Sequence, residues 1–161
     1  MTRRSLTQDA YRNVPLSALL YVTRGTYTAA VRHAQAKVGC GDVPAAGELI
    51  LNAMEWSGAS FESVVRFLGI SKQAVSQTVE MLVARGYLDR AQDPVDRRRV
   101  KLSLTQRGHT AGRAGRAGIV QVDHELTSRV GAQRVAHARE TLVALLEIKR
   151  TNERRGRPEG S

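Results

Sequence analysis

Between Gly69 and Gly108 the chain carries a run of residues that few backbones can satisfy. Ser71 is a good helix N-cap, no proline or glycine follows before Gly86, and Gly86 stands where a left-handed C-terminal residue belongs. The spacing predicts a helix over 71–86. Val75, Val79 and Leu82, with Ala74 and Thr78 beside them, fall on one face; Gln73, Ser76, Gln77 and Glu80 fall on the other, and Lys72 adds a cation near the start. Gln and Ser side chains both donate and accept hydrogen bonds, which is what reading base edges in a major groove requires.

The residues after Gly86 narrow the choice further. Tyr87 and Leu88 open a short extended segment, and Val100, Leu102 and Leu104 alternate with Lys101 and Ser103 at the period of a half-buried strand. Asp93-Pro94-Val95-Asp96 between them suits a tight reversal, with Arg97, Arg98 and Arg99 at its tip. Three adjacent guanidiniums repel one another and call for a polyanion or free solvation. A polar reading helix followed by a basic hairpin over 87–104 reads as a winged helix-turn-helix, the helix for the major groove and the wing for backbone and minor groove.

At this point the sequence resembles the MarR family of bacterial transcriptional regulators. The resemblance rests on Ser71-Lys72-Gln73-Ala74-Val75-Ser76, on Leu82 to Arg90, on Asp93-Pro94-Val95-Asp96-Arg97-Arg98, and on Leu102-Ser103-Leu104-Thr105-Gln106-Arg107-Gly108. It implies that Asp96 orients Arg98 into the minor groove, with Arg97 on phosphate. It also implies that the outer helices intertwine into a homodimer, and that a small aromatic or anionic effector releases the protein from DNA.

Net charge supports a polyanionic partner. The 161 residues hold 25 Lys plus Arg against 15 Asp plus Glu, a formal charge of +10. Aromatic residues are only 4%, too few for a stacking platform that grips single strands, so duplex DNA is the better match. The single cysteine, Cys40, forms no internal disulfide and fits a reducing cytoplasm. No apolar run is long enough to span a bilayer, and the faint twin-arginine look of Arg3-Arg4 leads into no export segment.

In chain order, residues 1–13 form an N-terminal arm and 14–40 a first amphipathic helix, from Leu16 through Leu20, Tyr27 and Val31 to Val38. About 25 helical residues reach roughly 37 Å, more than a small winged domain uses, so part of this helix is expected against another subunit rather than over one long monomer core. Asp42 is expected to cap a second helix whose buried stripe is Leu49, Ile50, Ala53 and Met54, and Ser60 a third through Phe61, Val64, Val65 and Leu68. The winged domain spans 42–108. Thr105 can cap the next helix, in which Gly108, Gly112, Gly115 and Gly118 either admit a close neighbour or mark a bend. A last helix carries Val135, Ala138, Leu142, Leu145 and Leu146; residues 105–150 form the second dimerisation segment, and 151–161 a disordered basic tail. The fold class is mainly α with a small β-wing.

No nucleophile elbow, phosphate loop, His-Glu-x-x-His or dinucleotide fingerprint occurs, so no enzyme and no cofactor is expected. His33, His109, His124 and His137 are scattered and read as surface residues, not metal ligands. Cys40 reads as an exposed thiol beyond a helix C-terminus, a poor place for a reactive thiolate, and Tyr27, Met54 and Trp56 read first as core. The expected DNA contacts are Gln73, Ser76 and Gln77 on bases, Ser71 and Lys72 on phosphate or the first base pair, and Arg97, Arg98 and Arg99 on the minor groove and flanking backbone. Together these features describe a homodimeric repressor on a pseudo-palindromic operator. A sequence-blind architectural DNA-coating protein is the alternative, though backbone-only binding is better served by Lys and Arg than by Gln and Ser.

Overall fold

The computed structural model describes residues 11, 13–57, 60–69, 71–92 and 100–155. Four helices come first: α1 (Leu16–Lys37), α2 (Ala45–Ser57), α3 (Phe61–Leu68) and α4 (Lys72–Ala84). An antiparallel pair follows, β1 (Leu88–Gln92) with β2 (Val100–Leu104), in the register Leu88 to Leu104, Arg90 to Leu102 and Gln92 to Val100. α5 (Gln106–Val130) and α6 (Ala132–Arg155) complete the chain. By contact it divides after Val120 into two units.

Local chemistry sets most element boundaries. Val38 N–H bonds to Gln35 O, Gly39 takes φ +74, and Cys40 N–H returns to Gln35 O, so α1 stops where the first left-handed residue occurs. Ser60 Oγ accepts the Ser63 N–H at the start of α3, and Gly69, at φ +64, closes that helix. Thr105 Oγ1 accepts the Gly108 N–H at 3.0 Å and caps α5 as expected. Asp42 does not cap α2. Pro44 O instead accepts the first bonds, from Gly47 and Glu48, which frees the Asp42 carboxylate for other partners.

The core of the first unit gathers Ile50, Leu51 and Met54 of α2, Phe61 and Val64 of α3, Val79 and Leu82 of α4, and Tyr87 and Leu88 at the sheet. Two expected core residues are not in it. Leu49 is 54% exposed and Trp56 62%, because the α2 face that meets α4 and α5 is offset by one position, through Gly47, Ile50, Leu51 and Met54. Glu48, buried on that helix, is held by Arg32 Nε at 2.7 Å. Cys40 is 3% exposed, not a surface thiol, since the turn after α1 folds it into the core cluster.

The glycines of α5 are sites of close approach. A Cβ at Gly112 would stand 2.6 Å from Glu55 Cβ, and one at Gly118 would stand 2.7 Å from Ala30 O. At Gly115 it would collide with the Asn52 side chain, and at Gly108 with Tyr87 O. Helices α1 and α2 thus press on α5 at backbone distance, and Gln35, buried, donates its Nε2 to Ala111 O at 3.3 Å. α6 continues through Arg155, so residues 151–155 are helical where a disordered tail was expected. Leu142, Val143, Leu145, Leu146 and Ile148 on it are all exposed.

Candidate nucleic-acid interface

Helix α4 is built to present one face and bury the other. Ser71 Oγ accepts the Ala74 N–H at 3.3 Å. At the far end Gly86 N–H bonds to Val83 O, Tyr87 N–H bonds to Leu82 O, and Gly86 takes φ +70. That double closure around a left-handed glycine is why the helix ends and the chain turns into β1. Leu82 is fully buried, Val79 and Thr78 are buried, and Val75 is half-buried. Thr78 loses no hydrogen bond by its burial, because its hydroxyl donates to Ala74 O at 2.7 Å. Ala74, expected with the apolar set, is exposed instead, at the edge of the outer face.

On that outer face Gln73, Ser76, Gln77 and Glu80 are all exposed. Gln73 and Gln77 lie one turn apart, with Ser76 beside them, so three side chains that can both donate and accept share a single stripe. Ser71 uses its oxygen as cap acceptor but keeps its hydroxyl hydrogen. Lys72 opens α4. The wing residues Asp96, Arg97, Arg98 and Arg99 lie outside the described residues, while the strands that lead to and from them are in place.

A polar cluster at the C-terminal end of α4 was not foreseen from the sequence. Asp42, in the turn before α2, receives the Tyr87 hydroxyl and, at 2.8 Å, Arg107 Nη2 on the same Oδ1; its backbone carbonyl receives the Arg85 guanidinium. Arg107 also donates to the Tyr87 hydroxyl at 3.2 Å and lies 4.7 Å from the centre of its ring. Arg107 was visible in the Leu-Thr-x-x-Gly run, but its partner is 65 residues away, and nothing local announces such a pairing.

The Tyr87 hydrogen bond, helped by Arg107, holds the Asp42 carboxyl below its ordinary 3.8. Burial and then the Asp42 bond push the Tyr87 phenol up, and the Tyr87 bond raises Arg107. A carboxyl whose folded value is depressed contributes stability that is present above the unfolded value and is lost as pH falls through the folded one. Asp42→Asn should therefore lower the melting temperature at neutral pH, with the gap to the parent closing below about pH 3.8. A gap independent of pH would remove the ionised carboxylate from the account.

Apolar hollows lie among the described residues of the first unit. One, about 570 Å³, lies between α3, α4 and the sheet, lined by Phe61, Val65, Val75, Ser76, Arg90 and Leu102 among others. Another, about 530 Å³, is walled by Leu49, Trp56, Phe67 and Ile119 over Asn52. Met54 is core as expected, Tyr27 is half-buried, and Trp56 is a wall of this second hollow. His109 Nδ1 meets Glu55 Oε2 at 2.6 Å, tying α5 to α2. Among the described residues no three of His, Cys, Asp or Glu come together as a metal site would need. No helix among them is long and apolar enough to cross a membrane.

A short helix, a turn, a second helix with a polar outer face and a two-stranded antiparallel pair define a winged helix-turn-helix fold. Residues 49–99 match the MarR family model. In fold it resembles the reduced form of MarR from E. coli, with 21% identity, TM-score 0.62, and coverage of 83% of this chain and 97% of that one. A transcriptional regulator from Thermotoga maritima aligns at 24% identity and TM-score 0.51, over 86% of this chain and 96% of its own. A MarR family protein of Mycobacterium tuberculosis, solved in complex with salicylic acid, aligns at 21% and 0.56, over 83% and 98%. No curated protein matches the chain in sequence.

Proposed function

We propose that this regulator is an operator-specific repressor that acts as a homodimer in the cytoplasm and is released by a small effector. The observation that carries the reading is the outer face of α4. Gln73, Ser76 and Gln77 are exposed on a helix whose opposite side is buried, so a rigid element offers base-reading groups without a row of cations. Asp96, Arg97, Arg98 and Arg99 would supply the wing contacts, with Asp96 orienting Arg98, and Ser71 and Lys72 would meet phosphate or the first base pair.

The dimer reading is supported by apolar side chains that one chain leaves uncovered. Leu16, Leu20 and Tyr21 are exposed on α1, and Leu142, Leu145 and Leu146 on α6, at the spacings of amphipathic helices that meet a partner. Two-fold symmetry then calls for half-sites about 10 bp apart. The effector reading is supported by the hollow behind α4, whose walls include Val75 and Ser76 of the reading helix itself; a ligand there would favour one seating of α4 over another.

Selection of genomic fragments at about 150 mM salt, then anisotropy titration against random duplex, tests the whole reading. A pseudo-palindrome bound some thousandfold more tightly than random DNA, and weakened by added salicylate, is the expected result. Uniform binding with a steep salt dependence would establish the sequence-blind alternative. On the selected operator, Gln77→Ala should change base preference while leaving random-duplex affinity nearly intact; equal losses on both would remove Gln77 from the reading set. Arg98→Ala should weaken operator binding by about 1–3 kcal/mol, and an unchanged affinity would place the wing elsewhere.

A further inference from the structure

The underside of α4 rests on Val79, Leu82 and their neighbours, and apolar contact of this kind is non-directional. It holds the helix down, and hydrogen bonds of fixed direction constrain its rotation about its own axis more sharply. Base reading depends on that rotation: side-chain tips lie about 6 Å from a helix axis, so a roll of about 10° moves them by roughly 1 Å. Functional groups need to be held to within about 0.5 Å.

Directional bonds occur at the C-terminal end of the helix, and they converge on one residue of the turn between α1 and α2. The Arg85 guanidinium, at the C-cap of α4, donates to the Asp42 carbonyl; the Tyr87 hydroxyl, two residues on, donates to Asp42 Oδ1. Arg107, in the first turn of α5, binds the same Oδ1 at 2.8 Å. From the other side Thr105 grips the same segment, its N–H on Tyr87 O at 3.1 Å and its hydroxyl on Gly86 O at 2.6 Å. Tyr87 is fully buried, and Asp42 and Arg107 are the protein partners that fix the direction of its hydroxyl.

We propose that Asp42 is a positioning residue for DNA reading: its carbonyl and carboxylate, shared by Arg85, Tyr87 and Arg107, set the roll of α4 against the start of α5. The assignment rests on α4 being the reading helix. It gives operator discrimination to an acidic residue outside the helix-turn-helix, whose negative charge suits no contact with phosphate.

The test titrates operator and random duplex with parent, Asp42→Ala and Asp42→Asn at one salt concentration, well below each melting temperature. Asp42→Ala is expected to lose about tenfold or more on operator and less than about twofold on random duplex, with an unchanged salt slope because phosphate contacts are untouched. Asp42→Asn keeps an oxygen for Tyr87 and should recover most of the discrimination. If Asp42→Ala melts lower yet keeps the parental ratio of operator to random affinity, Asp42 is structural only and the proposal fails. Should Asp42→Ala not fold, Tyr87→Phe, which keeps the ring under Arg107, decides by the same ratio. A parent that does not discriminate between the duplexes would overturn the repressor reading itself, and this assignment with it.

Discussion

Gly118→Ala is expected to destabilise the protein by about 2 kcal/mol or more, although alanine is the better helix former by about 1 kcal/mol. The added Cβ would lie 2.7 Å from Ala30 O, 2.9 Å from Ala30 C and 3.1 Å from Val31 N, all backbone atoms of α1. None of them can swing aside as a side chain would, so α1 and α5 would have to separate, and packing along both helices would loosen with them. The same exchange at Gly25, in the middle of α1 with no atom within 4 Å, should instead raise stability by about 1 kcal/mol. Thermal and urea unfolding of the two variants measure the contrast. A loss at Gly25 would place a partner chain against that face of α1, and a neutral Gly118→Ala would contradict the close approach.

Leu82→Ala is expected to cost about 2–5 kcal/mol, because Leu82 is fully buried on the inner face of α4 and its removal leaves a cavity between α2 and α4. A second substitution gives this prediction a sharper form. A Cβ at Gly47 would stand 2.7 Å from Leu82 Cδ2 and 3.2 Å from its Cγ, so Gly47 is the space that Leu82 occupies. Gly47→Ala alone crowds the leucine; combined with Leu82→Ala it places a methyl group in the emptied volume and adds helix propensity to α2. The double variant should therefore be more stable than the sum of the two single changes predicts, by about 1 kcal/mol or more, read from a double-mutant cycle in urea. Strict additivity would mean that the two positions do not share a cavity.

Helix α4 and the caps of its neighbours were legible in the sequence for a local reason. Ser71, Gly86, Ser60 and Thr105 act within a few residues of themselves, and each stops or starts its element where its own chemistry requires. The apolar spacing of Val75, Val79 and Leu82 likewise settles which side of α4 is buried, and with it which side offers Gln73, Ser76 and Gln77. Helix α2 shows where periodicity falls short. Its apolar residues are dense enough to support two adjacent stripes, and the approach of α4 at Gly47 and of α5 at Gly112 and Gly115 selects the one that leaves Leu49 and Trp56 exposed.

Asp42 and the α5 glycines mark the same limit. As a residue type just ahead of Val43-Pro44, Asp42 suits a helix cap, and its actual partners, Tyr87 and Arg107, lie 45 and 65 positions away. The glycines of α5 were compatible with a bend or a close contact, since a missing side chain permits both. Helix type, caps and the polar outer face of α4 follow from interactions within a turn or two, so the sequence alone determined them. Which neighbour fills each glycine notch, which stripe of α2 is covered and which partners the Asp42 carboxylate takes depend on residues brought together only by folding, and there the tertiary structure decided.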